Sequence, residues 1–234
     1  MLPTHEPTKK EQILNTISSF ISKFRWVLIS LLGIFIIVLV TILIVTEVRK
    51  NRSEKSLVQV ERLRDDYDAW KEMEDDEEKT GLEKDIIERA DHIINTYGNY
   101  YAAQRALLIK GLVSYEKEEY KQAADYFTKL ADTYTQSHLA RVGLFNAATA
   151  YEELEDYDTA IEAHSKLIER YSGETPDIAR SLFNIGRLYE LKQEFAQARE
   201  NYNRLIDNYG SSDWTKMARN RIIYFDAEGV AAEE

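Results

Sequence analysis

Three hydrophobic patterns succeed one another along the chain. The first falls on residues 13–24, where Ile13, Leu14, Ile17, Phe20, Ile21 and Phe24 share one face of a helix, with Lys9, Lys10, Lys23 and Arg25 nearby. Such a stripe suits a helix lying along an anionic membrane surface, and equally a plain helical lead-in to a membrane anchor. The second runs from Trp26 to Thr46, WVLISLLGIFIIVLVTILIVT, without a charge. As a helix it spans about 31 Å, close to the hydrocarbon thickness of a bilayer. It is longer than the roughly 7–15 apolar residues of a signal peptide, and its end, Val45-Thr46-Glu47-Val48, lacks small residues for cleavage. Residues 26–46 are therefore predicted to be an uncleaved transmembrane helix behind a tail of residues 1–25.

The third pattern repeats. Tyrosines recur at 97, 134, 171 and 209. The last three close the segments YKQAADYFTKLADTY (120–134), YDTAIEAHSKLIERY (157–171) and FAQARENYNRLIDNY (195–209). Their aligned columns are Tyr120/Tyr157/Phe195, Ala123/Ala160/Ala198, Phe127/His164/Tyr202 and Leu130/Leu167/Leu205. Offsets of 3, 7 and 10 trace one helical face, and the small Ala column admits a neighbouring helix. LIKGLVSY (108–115), LFNAATAY (144–151) and LFNIGRLY (182–189) precede them, with Gly111, Ala147, Ala148 and Gly186 as small packing positions. Charged turns at 116–119, 152–156 and 190–194 join the two helices of each unit. Thr135-Gln136-Ser137, Ser172-Gly173-Glu174-Thr175-Pro176 and Gly210-Ser211-Ser212-Asp213 separate the units.

One such hairpin cannot bury its own apolar face, so at least three must stack. Residues 100–212 give three units. Residues 47–99 are predicted to hold a linker helix and a divergent first unit, with helices over 53–79 and 82–97, and Ile86, Ala90, Ile93 and Tyr97 in the repeat columns. The acidic run 72–78 reads as a solvated helix end before Thr80-Gly81. It lacks the alternating ligands and central glycine of a calcium loop. Residues 213–234 are predicted to be a capping helix, with Trp214, Met217, Ile222 and Phe225 on the last face, and an acidic tail. The predicted fold class is all-α: a transmembrane helix followed by an α-solenoid of helix hairpins.

Composition narrows the chemistry. With no Cys among 234 residues, a disulfide scaffold, a thiolate metal site and a cysteine nucleophile are excluded. Lys+Arg 30 against Asp+Glu 41 gives −11. Residues 1–50 contribute +3 of this, so the rest carries −14, a poor balance for nucleic-acid binding. No catalytic motif is present, and no enzyme activity, metal or other cofactor is expected. Of the four histidines, His164 sits in an aromatic column as a packed ring, and His138 stands at a helix start beside Ser137. Four basic residues precede the apolar run (9, 10, 23, 25), and six lie in the first twenty residues beyond it (Arg49, Lys50, Arg52, Lys55, Arg62, Arg64). That count points the C-terminal part towards the cytoplasm, although long domains cross largely regardless of charge.

The repeat columns resemble the tetratricopeptide repeat. LFNIGRLYELKQEFAQARENYNRLI (182–206) follows its pattern closely, and LFNAATAYEELEDYDTAIEAHSKLI (144–168) does so with Ala for Gly and His164 at the aromatic place. LIKGLVSYEKEEYKQAADYFTKL (108–130) has a turn one residue shorter. The resemblance implies a concave face built from the first helix of each unit. On it would lie Ala106, Ile109, Val113 and Glu116, then Val142, Phe145, Thr149 and Glu152, then Arg180, Phe183, Arg187 and Glu190. The expected partner-binding residues are Ile109, Val113, Val142, Phe145, Thr149, Arg180, Phe183 and Arg187: an apolar stripe with positive charge at one end, for a protein or peptide. Asn146 and Asn184 lie beside it.

The layout of basic tail, FRW, one anchor, charged helix and acidic repeats is similar to the YfgM-type family of ancillary Sec-translocon subunits. That resemblance implies a single-pass inner-membrane protein with a periplasmic repeat domain, lipid contact through residues 26–46 and a part in chaperone traffic or envelope-complex assembly. The alternative is a structural subunit of a large envelope or flagellar-motor-associated assembly, which would make the chain a homo-oligomer or part of a large complex.

Overall fold

A computed structural model describes residues 8–171 and 176–229. The break at 172–175 and the acidic tail from residue 230 lie outside the described residues. Among those described, all regular structure is helical: α1 (Lys9–Glu72), α2 (Asp76–Thr96), α3 (Tyr101–Glu116), α4 (Tyr120–Thr133), α5 (His138–Glu153), α6 (Tyr157–Arg170), α7 (Pro176–Leu191), α8 (Phe195–Asn208) and α9 (Asp213–Glu228). The chain divides into two units, Met1–Glu54 and Lys55–Glu234.

In the first unit α1 opens with a capping box. The Thr8 backbone N–H donates to the Glu11 carboxylate (2.8 Å), and the Glu11 N–H donates back to Thr8 Oγ1 (3.4 Å). Donation from the Thr8 N–H, and then from its hydroxyl (3.0 Å), holds the Glu11 carboxyl below its usual range. The helix then carries the apolar run, long and apolar enough to cross a membrane, with its large side chains exposed.

The second unit is a succession of hairpins: α3 with α4, α5 with α6, α7 with α8, then α9. The repeat columns are its core. Ala123, Ala160 and Ala198 are buried, as are Leu130, Leu167 and Leu205, and Phe127, His164 and Tyr202. Ile86, Ala90 and Ile93 of α2 continue these columns upstream and join Val60, Leu63, Tyr67 and Trp70 of α1 in one cluster. Within a hairpin the ring of the second helix lies over a small residue of the first. A Cβ on Gly111 would stand 2.4 Å from the Phe127 ring, and one on Gly186 would stand 2.5 Å from Tyr202. By the same register of the two helices, Ala148 and the smaller ring of His164 take these places in the middle unit. The extra methyl is matched by a smaller partner.

Each recurring tyrosine is the C-cap of a second helix, its N–H bonded to the carbonyl of Ile93, Leu130, Leu167 or Leu205. Its hydroxyl can also reach the preceding unit. Tyr134 Oη donates to Gly98 O (2.6 Å) and Tyr171 Oη to Thr135 O (2.8 Å). Tyr134→Phe and Tyr171→Phe are each expected to cost about 1 kcal/mol, read by thermal denaturation of the full chain in detergent. The turns inside the hairpins also repeat. Glu118, Glu155 and Gln193 adopt left-handed φ near +60°. Glu119, Asp156 and Glu194 then donate their N–H groups five residues back to Ser114, Tyr151 and Tyr189. This is the Schellman arrangement that ends a helix.

One predicted boundary is corrected. The first break lies at 73–75, not before Thr80-Gly81, and the acidic run begins α2 rather than ending a helix. Asp75 caps α2 by accepting from the Glu78 N–H (2.9 Å). Asp76, Glu77 and Glu78 fill its first turn, where the helix dipole favours negative charge. Thr80 and Gly81 lie inside the helix.

Candidate binding face of the repeats

The first helices α3, α5 and α7 carry the residues expected on a binding face, but both ends of the expected stripe are closed. Ile109 is 4 % exposed and Val113 1 %, because α1 residues Val60 to Trp70 share their cluster. Phe183 is 7 % exposed, with its ring centroid 5.6 Å from Tyr202 and 5.4 Å from Trp214 of α9. These three side chains are core as the chain stands. The middle unit is open. Val142 is exposed, and Phe145 and Thr149 are half-buried.

The two arginines differ in role. Arg187 is clamped by Glu152 of the preceding hairpin through two bonds, Nη1 to Oε1 (2.5 Å) and Nη2 to Oε2 (2.6 Å). That pairing raises its pKa and leaves little for a ligand. Glu190 is engaged in the same manner. It accepts from Arg221 Nε (2.9 Å) and from the Tyr202 hydroxyl (2.5 Å), tying α7, α8 and α9 together. Burial and this carboxylate push the Tyr202 phenol far up. Arg180, by contrast, is exposed and has no carboxylate partner among the described residues. Its guanidinium lies 3.9 Å from the Phe145 ring centroid and 5.7 Å from that of Trp214.

Two pockets meet at this stacked pair. One, of about 310 Å³, has Leu112, Tyr115, Glu116, Asn146 and Thr149 in its wall. The other, about 170 Å³, is bounded by Arg141, Val142, Asn146 and Asp177. Phe145 and Arg180 line both. Glu116 is paired with Lys71 (2.9 Å) and Tyr115 Oη donates to Glu153 (3.1 Å). Burial first, then this hydrogen bond, pushes the Tyr115 phenol up to about 12. The face thus offers an apolar ring, an amide at Asn146 that makes no hydrogen bond among the described residues, and the Arg180 cation, beside an Arg141 that is paired with Asp177 (3.6 Å). The combination suits an extended peptide carrying an apolar side chain and a carboxylate. Trp214, which completes the stack on Arg180, was readable from the sequence only as a capping residue.

His164 lies beneath the face. Its ring is buried, edge-on to Phe145 (5.3 Å), with Nδ1 3.3 Å from Ser181 Oγ. Burial, with Arg187 and Arg180 nearby, lowers its pKa from 6.5 to about 3. It is packed and neutral, as its column predicts. Because the folded-state pKa lies below the unfolded one, the stability from keeping this ring neutral is complete above pH 6.5. It is lost as pH falls from 6.5 towards 3. At pH 5.5 the folded chain is expected to have lost about 1 kcal/mol relative to neutral pH from this group alone. Ala148→Gly/His164→Phe, which installs the ring pair of the first unit, should flatten the thermal denaturation profile between pH 7.5 and 5.5. An unchanged slope would assign the acid sensitivity elsewhere. His138 begins α5 behind the Ser137 cap and stacks on Tyr101 (5.7 Å).

Stacked hairpins with capping helices at both ends define a helical-repeat scaffold. The comparisons agree at that level. Residues 139–211 match a family model described as tetratricopeptide repeat. TPR-like repeats of a Podosopora anserina kinesin light chain superpose with a TM-score of 0.52 at 10 % identity, over 73 % of this chain and 88 % of that one. A tetratricopeptide repeat protein from Parabacteroides merdae gives 0.52 at 16 % identity, over 74 % of this chain and 64 % of that one. At these identities the likeness is one of fold. No curated protein matches the sequence.

Proposed function

We propose that the chain is a single-pass membrane-anchored scaffold that holds an extended segment of a protein partner across the middle repeat. Residues 26–46 form the anchor, and Val142, Phe145, Asn146, Thr149 and Arg180 form the contact. The setting we propose is a bacterial inner membrane with the repeats on the periplasmic side, in translocation-linked chaperone traffic or envelope-complex assembly. The layout of basic tail, anchor and acidic repeats supports that setting. The observation that carries the binding reading is Arg180, stacked on Phe145 at the junction of two pockets while neighbouring Arg187 and Arg221 are held by carboxylates. No catalytic role is assigned to any residue.

The test compares full-length protein with Phe145→Ala/Arg180→Glu, each purified in mild detergent from its own membranes, with bound partners identified by mass spectrometry and titrated back. Loss of an aromatic anchor and reversal of its stacked charge should weaken binding at least 30-fold, equivalent to about 2 kcal/mol. Helical circular dichroism should be unchanged. Equal affinity in the variant would remove this face from the account.

A further inference from the structure

The first unit carries a surface that the anchor does not explain. Ile13, Leu14, Ile17, Phe20, Ile21 and Phe24 are all exposed on α1. They precede the apolar run in the same unbroken helix, which contains no proline and no glycine from residue 9 to residue 32. Leu14, Ile17, Ile21 and Phe24 alternate by three and four, the spacing of positions a and d of a heptad. Ile13 and Phe20 flank them at g. The same register continues through Leu28, Leu31, Phe35, Val38, Ile42 and Val45. Inside the run, where nearly every residue is apolar, this continuation is merely permitted. Between 13 and 24 it is selective. Asn15, Ser19 and Ser22 occupy the opposite side, and Thr16, Ser19 and Ser22 return their hydroxyls to the carbonyls of Gln12, Thr16 and Ser19 (2.8, 2.9 and 3.0 Å).

We infer that this stripe is the seam of a parallel bundle formed by copies of this chain. A bilayer surface would cover it only if the helix bent sharply between Phe24 and the apolar run. A sharp bend needs a proline, a glycine pair or an inserted group, and the sequence there, Phe24-Arg25-Trp26-Val27, supplies none. A second copy covers the stripe on a continuous helix, with one register running from the tail into the anchor. The apolar face includes a, d and g, wider than the a/d seam of a simple pair, and matches the face of a helix bundle. The consequence for the proposed scaffold is multivalency: several repeat domains would be presented at one point of the membrane. This inference rests on the N-terminal helix alone and stands or falls independently of the groove at Phe145.

The chain lacks cysteine, so single cysteines report contacts without background. Full-length variants Leu14→Cys, Ile17→Cys, Ile21→Cys, Asn15→Cys, Ser19→Cys and Ser22→Cys are oxidised in native membranes and run on non-reducing gels. Cross-linked species at twice the chain mass are expected at 14, 17 and 21, and at least tenfold less at 15, 19 and 22. The same cysteines, labelled with a fluorophore in vesicles containing brominated lipid, should show no periodic quenching. Cross-linking that is absent or equal at all six positions overturns the bundle. So does strong lipid quenching confined to 14, 17 and 21, which would place the stripe on the bilayer.

Discussion

Gly186→Ala is expected to destabilise the last hairpin by about 3 kcal/mol, the upper part of the range for overpacking a filled core. The new methyl would stand 2.5 Å from the Tyr202 ring, which is fully buried and anchored through its hydroxyl to Glu190, so the ring cannot swing aside. The loss is read as a lower midpoint in thermal or denaturant unfolding of the full chain in detergent. The middle unit supplies the control. His164→Tyr alone should be destabilising, because the larger ring meets the Ala148 methyl. Ala148→Gly/His164→Tyr should recover at least about 1 kcal/mol of it, a coupling that only contact between the two columns explains. If the single and double variants lose stability additively, ring size and small residue are not matched.

Replacing Ile34, Ile36 and Val38 together by lysine is expected to move the chain from the membrane to the aqueous fraction. Each Leu, Ile, Val or Phe of the run favours insertion by about 0.3–0.6 kcal/mol, while a lysine at the helix centre opposes it by about 2.5–3.5 kcal/mol. Three central lysines therefore outweigh what the remaining apolar residues supply. The measurement is alkaline extraction of membranes followed by immunoblotting for the chain. Wild-type protein released by the same treatment would exclude residues 26–46 as an anchor.

Much of the fold was legible because it is written several times. The Ala, aromatic and Leu columns repeat at spacings of 37 and 38, and coincidence of period identifies a buried face without any knowledge of neighbours. The recurrence of Tyr97, Tyr134, Tyr171 and Tyr209 was equally plain. Its purpose was not, because a C-cap and a hydroxyl reaching 36 residues back depend on how one hairpin sits on another. The break at 73–75 was misplaced because a run of acids gives the same hydropathy at either end of a helix. Only the dipole and the Asp75 cap distinguish the start from the finish.

The candidate face was half legible for a related reason. The ungapped sequence alignment places Ile109, Phe145 and Phe183 in one slot, but the registers of α3, α5 and α7 set Ile109 level with Asn146 and Asn184, and the terminal units are covered besides. The end of α1 covers the first slot and Trp214 covers the last. Capping elements break the periodicity that made the prediction possible. Likewise Arg180 and Arg187 are indistinguishable as basic residues of one helix, until Glu152 of the preceding unit is seen to hold one and Phe145 to support the other.

The central claim, that the open middle repeat receives a protein segment, is tested most directly by site-specific photo-crosslinking in the intact membrane-bound protein. A photoreactive side chain at Val142, exposed beside Phe145, should yield a discrete adduct that Arg180→Glu abolishes. The same group at Glu169, exposed on α6, should yield none. An adduct at Val142 that persists in the Arg180→Glu background, or one equally strong at Glu169, would contradict the account.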